Sequence, residues 1–160
     1  MSKYFISMKK KIQLFSLFHL LATVFGIGKI PYMPGSIASL LAIFVWLSLI
    51  SYSYYLYLFT LIFFLIFGCY CCHKTSKHIG VHDHQSIVLD EFIGMWIALA
   101  GVPTSHWYCL ALSFFLFRIL DICKPWPINW LDKVMKGGIG IMIDDIAAGM
   151  LTSVILYVIL

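Results

Sequence analysis

From Ile37 to Cys72 the chain carries no charged side chain, and that run limits what it can fold into. The run is too long for one ordinary membrane span of roughly 20 residues. Ser51-Tyr52-Ser53 in its middle offers a turn. The segment therefore predicts two antiparallel apolar helices that return the chain to the side on which it began, where Lys74 and Lys77 follow. Composition agrees: 62% of residues are hydrophobic and 11% charged, with a mean hydropathy of +0.95, whereas soluble domains average roughly 45–50% and 25%. An integral membrane protein follows, and 160 residues leave room for one domain, residues 1–160. The net charge of +4 is scattered rather than gathered into a stripe, which argues against nucleic acid as a partner. Five cysteines, with Cys69, Cys71 and Cys72 crowded together, suggest no disulfide framework and read as small apolar residues.

The flanking segments extend this frame. Lys3, Lys9, Lys10 and Lys11 precede an apolar stretch, Ile12 to Gly26, too short to span and suited to an interfacial helix with its lysines on the cytoplasmic side. Gly26 to Ser36 reads as a loop by its glycines and prolines, with Ser36 placed to cap the next helix. Lys29 in that loop fits two readings, a snorkelling interfacial lysine or part of a phosphate site. Phe92 to Phe117 is again uncharged and is broken at Gly101-Val102-Pro103, which predicts a second hairpin of two short helices. A final run from Ile146 to Leu160 reads as a membrane anchor. The fold class is all-α: a compact bundle of short helices, partly embedded in the membrane, including hydrophobic helical hairpins.

Against this background the acidic residues stand out. All seven lie between Asp83 and Asp145, and charge held in so apolar a chain marks function. Two segments resemble each other, Leu89-Asp90-Glu91-Phe92-Ile93-Gly94 and Ile143-Asp144-Asp145-Ile146-Ala147-Ala148-Gly149. Each places an acidic pair at the mouth of an apolar helix, with a glycine a turn later that admits a neighbouring helix. Adjacent helical residues diverge by about 100°, so one pair cannot readily clasp an ion, whereas two facing pairs can. Four such carboxylates repel unless cations neutralise them, and hard oxygen ligands select Mg²⁺ or Mn²⁺. Solvated helix starts would explain either pair alone.

Arg118, Asp121 and Lys124 recur at three-residue spacing and share a helical face until Pro125 and Pro127. An intrahelical salt bridge and a phosphate site fit that triplet equally. Gly137 and Gly138, in a glycine-rich turn opening the Asp144 helix, would add amides to an anion. His82, Asp83 and His84 suit metal ligation, proton shuttling or a solvated loop. Asp132 and Lys133 read as surface partners, and Trp126 and Trp130 suit the membrane interface. The chemistry these groups share is metal-assisted attack on a phosphate in a lipid headgroup. The alternative is a non-catalytic ion or proton carrier using paired intramembrane carboxylates.

The chain resembles the phosphatidylglycerophosphatase A family of bacterial lipid phosphatases. The likeness is carried by Pro34-Gly35-Ser36, His82-Asp83-His84-Gln85-Ser86-Ile87-Val88-Leu89-Asp90-Glu91, Phe117-Arg118-Ile119-Leu120-Asp121 with Lys124-Pro125-Trp126-Pro127, and Gly137 through Asp145. Two departures are small: Ser36 stands where threonine is usual, and Ile27 to Tyr32 is less polar. The resemblance implies an all-helical fold, Mg²⁺ dependence, and dephosphorylation of the phospholipid phosphatidylglycerophosphate to phosphatidylglycerol at the cytoplasmic side of the bacterial inner membrane. It implies a metal on Asp90, Glu91, Asp144 and Asp145, with Arg118 and Lys124 offsetting phosphoryl charge and Asp121 holding them. The Lys29 and Ser36 loop joins the site, and Asp83, His82 or His84 carries a proton. No motif matches the phosphatases that form a covalent phospho-enzyme, and the oligomeric state is left open.

Overall fold

The computed structural model of the chain describes residues 16–103 and 106–160, all helix, turn or loop. The helices are α1 (Leu17–Ala22), α2 (Pro34–Tyr52), α3 (Tyr54–Ile79), α4 (Leu89–Ala98), α5 (Trp107–Cys123), α6 (Ile128–Val134) and α7 (Gly137–Ile159), with a 3₁₀ turn at Ile27–Lys29. The uncharged run folds as expected from its turn residues. Extended backbone at Ser53 separates α2 from α3, and its hydroxyl caps α3 by accepting a hydrogen bond from the Tyr55 amide at 3.2 Å. The break at Gly101 to Pro103 likewise separates α4 from α5. By length and composition α2, α3 and α7 can each cross a membrane. The Met1 to Lys11 lysines lie outside the described residues, and α1 is the described part of the apolar stretch that follows them.

The ten-residue helix α4 is the most enclosed. Nine of the ten residues of α4 are buried, the exception being Glu91. It is surrounded by α2, α3, α5 and α7. Two hydrogen bonds hold it in an apolar setting: Trp96 Nε1 donates to the Ala42 carbonyl at 2.9 Å, and Tyr57 Oη donates to the Trp96 carbonyl at 2.8 Å. Such bonds matter because an unmet polar group here costs several kcal/mol, on the order of 2–7. Ser153 Oγ adds a third tie, donating to the Ala100 carbonyl at 3.0 Å, so the far end of α4 is sewn to α7.

Close approach between α4 and α7 rests on two glycines. A methyl at Gly149 would overlap the Gly94 carbonyl, and one at Gly94 would come within 2.8 Å of both the Asp145 carbonyl and the Phe117 ring. This is the small-residue contact the paired motifs predicted.

Two local expectations are corrected. Ser36 does not cap α2: Met33 holds the cap position and Pro34 the first helical one, where its fixed φ and missing N–H are best tolerated. Nor is the run after Lys136 a flexible turn, because Gly137 already begins α7 and Asp144 sits two turns inside it rather than at its mouth. Gly138 explains the early start. Any side chain there would overlap the Cys69 carbonyl, so glycine lets α7 lie directly on α3.

Replacing Gly94 by alanine is expected to destabilise the fold by about 1–3 kcal/mol through overpacking. Thermal unfolding in detergent measures this as a lowered Tm relative to a Ser51→Ala control at the exposed turn.

Candidate active site

With α4 and α7 in contact, their acidic pairs meet. Asp90, Glu91 and Asp145 form a group whose ligand oxygens all lie within 4.8 Å of one another, and Asp121, Asp144 and Asp145 form a second. Asp90, Asp144 and Asp145 are only 5%, 6% and 3% exposed, so these are not solvated helix starts. Burial, then the charges of Glu91 and Asp145, pushes the Asp90 carboxyl well above the usual carboxylate range. Glu91 Oε2, Asp144 Oδ1 and Asp145 Oδ1 are buried without a hydrogen-bond partner. Orphaned buried carboxylate oxygens are costly. Several aimed together form the donor set of a hard cation.

The first cluster corrects one detail of the sequence reading. Asp90 and Glu91, although adjacent on a helix, do reach a common point, because Asp145 comes to them from α7. Asp121 also joins the carboxylates as a potential ligand as well as pairing with Arg118.

The cationic side chains flank the cluster. Arg118 contacts Asp121 Oδ2 at 2.7 Å, one helical turn away, and its Nε is buried with no hydrogen-bond partner. Lys124 leaves the shared helical face. It ends α5 in the left-handed region (φ 41°), and its ammonium donates to Asp144 Oδ2 at 2.6 Å and lies 3.3 Å from Asp132 Oδ1. Burial works against the Lys124 charge, but the bond and charge of Asp144, followed by Asp132, outweigh it and raise its pKa. It therefore stays an ammonium, suited to holding an anion and not to donating a proton.

The Pro34 loop belongs here too. A methyl on Gly35 would overlap Glu91 Oε1 and lie 3.4 Å from Arg118 Nη1, so the start of α2 touches both the carboxylates and the arginine. Ser36 is in that same first turn, and Lys29 is exposed at the end of the preceding 3₁₀ turn.

The remaining candidates divide. Asp83 is at the rim; its carboxyl is pushed up by burial and held back by Lys124, with Asp132 and Asp121 also acting on it. His82 turns elsewhere, its Nε2 accepting a hydrogen bond from the Gly137 amide at 2.8 Å. That bond pins the start of α7 and engages the amide that was expected to meet an anion. Gly138 is spent on α3 packing. His84 Nδ1 accepts from the Ser86 amide at 3.2 Å, a local turn contact. Asp132 is the residue the sequence reading missed: it pairs with Lys124, not with its neighbour Lys133. Sequence spacing hides this contact because Lys124 ends α5 and Asp132 lies on α6.

Comparison with known proteins decides the family. The sequence profile described as Phosphatidylglycerophosphatase A matches residues 20–160. The chain belongs to the phosphatidylglycerophosphatase A family. The Escherichia coli (strain K12) phosphatidylglycerophosphatase A is 48% identical over 149 residues, covering 93% of this chain and 87% of that protein. Its Haemophilus influenzae counterpart is 44% identical over 153 residues, covering 94% and 93%. A third relative, from Bacteroides thetaiotaomicron, bears the provisional name phosphatidylinositol-3-phosphatase and is 35% identical over 151 residues. No solved structure matches. Membership in the phosphatidylglycerophosphatase A family makes the chain a phosphatase, a hydrolase of phospholipid biosynthesis, and its apolar helices fit a membrane protein.

The Lys124–Asp132 pair is partly open to solvent, and pairs of that kind contribute about 0.2–1 kcal/mol. Asp132→Asn is therefore expected to lower kcat/KM by no more than about fivefold. Lys124→Ala, which also strips a donor from buried Asp144, is expected to lower it further. Steady-state phosphate release by the two variants checks the order.

Proposed function

We propose that this phosphatase removes the terminal phosphate of phosphatidylglycerophosphate, giving phosphatidylglycerol, in a Mg²⁺-dependent reaction at the cytoplasmic face of the bacterial inner membrane. The observation that carries this reading is the meeting of five carboxylates with Arg118 and Lys124 beside the ends of apolar helices. The relatives' names support the lipid. The donor set is all carboxylate oxygen, with three oxygens orphaned and buried, which fits a hard divalent cation and not zinc.

Asp90, Glu91, Asp121, Asp144 and Asp145 would hold the cation. Bound there, Mg²⁺ would supply charge to a phosphate oxygen and acidity to a water. Arg118 offers a buried, unmatched Nε and Lys124 an ammonium held beside Asp144, and together they would offset the charge on a phosphate monoester. Asp121 orients Arg118 by its ion pair. Asp83, at the rim and already inclined to take up a proton, is the group best placed to accept one from water or return one to the leaving glycerol oxygen. His82, committed to Gly137, serves to position α7.

Charge placement supports the cytoplasmic side. Lys74 and Lys77 close α3, and Lys133 and Lys136 precede α7. The His82–Gly137 bond brings these two regions to the same end of the molecule. The opposite turns, at Ser51 to Ser53 and Gly101 to Pro103, carry no charge. An excess of lysine at one end is cytoplasmic by the positive-inside rule.

The test is phosphate release by the purified protein in detergent micelles from phosphatidylglycerophosphate, phosphatidic acid and phosphatidylinositol 3-phosphate, with Mg²⁺ and then with EDTA. Release fastest from the first lipid, abolished by EDTA and by Asp90→Asn, is expected. Release that survives EDTA, or that favours another of the lipids, overturns the metal or the substrate assignment respectively.

A further inference from the structure

We propose that the site takes two divalent cations bridged by Asp145, one between Asp90, Glu91 and Asp145 and the other between Asp121, Asp144 and Asp145. The inference rests on the metal dependence proposed above and specifies its form.

The five carboxylates do not converge on one point. They fall into two groups that share only Asp145. Asp145 belongs to both groups: Asp90 and Glu91 lie with it on one side, and Asp121 and Asp144, the latter also accepting from Lys124, lie with it on the other. Each group also contains its own buried oxygen with no partner, Glu91 Oε2 in the first and Asp144 Oδ1 in the second, and the shared Asp145 adds its Oδ1. Asp145 is 97% enclosed, with 3% of its surface exposed, so bulk solvent does not reach it.

The existing ion pairs leave room for both ions. Arg118 contacts Asp121 through Oδ2, and Lys124 binds Asp144 through Oδ2. One oxygen of each carboxylate thus remains for a cation.

Charge balance points the same way. Five carboxylates, and the Asp132 carboxylate that shares Lys124, face Arg118 and Lys124, an excess of four negative charges with all six ionised. One divalent cation leaves the site negative, and it would repel a phosphate dianion. Two neutralise it before substrate binds. Phosphoryl transfer between two cations, one on the attacking and one on the leaving side, is an established way to stabilise such a reaction. Protons shared between neighbouring carboxylates are the competing way to relieve the crowding.

The experiment uses the full chain in detergent, stripped with EDTA and titrated with Mn²⁺ as a paramagnetic stand-in for Mg²⁺. Stoichiometry comes from equilibrium dialysis and ion proximity from electron paramagnetic resonance. Two equivalents with a spin-coupled signal are expected. Glu91→Gln and Asp121→Asn should each keep one equivalent, uncoupled. Because these two residues lie on different helices, misfolding of one variant leaves the other to decide, with size-exclusion elution confirming which is folded. A single equivalent in the unsubstituted protein, no binding, or two equivalents without coupling overturns the proposal. Two coupled ions in a protein that releases no phosphate would preserve the two-ion site and sink the phosphatase reading. An active enzyme with one ion would do the reverse.

Discussion

Contact between α4 and α7 through Gly94 and Gly149 is the constraint on which the rest of the molecule depends. Without it the acidic pairs of α4 and α7 would stay apart. With it, Asp145 is carried to Asp90 and Glu91, and α5 brings Asp121 to the other side of α7's acids. The glycines act by absence. A single methyl on either would collide with backbone, which cannot move aside as a flexible side chain does.

That arrangement concentrates negative charge where the dielectric is low, and much of the local architecture offsets it. Arg118 and Lys124 neutralise part of it. Lys124 does so from a left-handed backbone conformation that a non-glycine residue adopts at some cost, with its ammonium between Asp132 of α6 and Asp144 of α7. The charge left over is what the proposed cations would neutralise, and through them the site would hold phosphate. A protein selected for stability alone would have replaced this cluster with apolar side chains, as buried ionic groups are commonly neutral or worse for stability.

The surrounding helices set the depth at which this chemistry occurs. The long apolar helices α2, α3 and α7 provide the embedded frame. The ends that carry lysine gather beside the carboxylates, and exposed Trp126 and Trp130 lie on the segment between α5 and α7, as aromatic residues do at a bilayer interface. A lipid headgroup would then meet the proposed site while its acyl chains stayed in hydrocarbon.

The sequence by itself determined the apolar helical frame and pointed to phosphate chemistry. An uncharged run broken at Ser51 to Ser53 can satisfy its backbone in lipid only as two helices, and acids in so apolar a chain require a partner. The i, i+3 pairing of Arg118 with Asp121 was equally legible, since helical geometry alone enforces it. Tertiary structure decided who the partners are. Asp121 entering the carboxylate cluster, Asp132 reaching Lys124, His82 holding the Gly137 amide and Gly35 abutting Glu91 all join residues from different elements. The glycine run after Lys136 looked like a loop because glycine is a poor helix former in isolation, yet it is helical because α3 lies against it. Local patterns reflect backbone propensity and the period of a helix. They carry no record of which face meets which neighbour, and at this site that meeting is the chemistry.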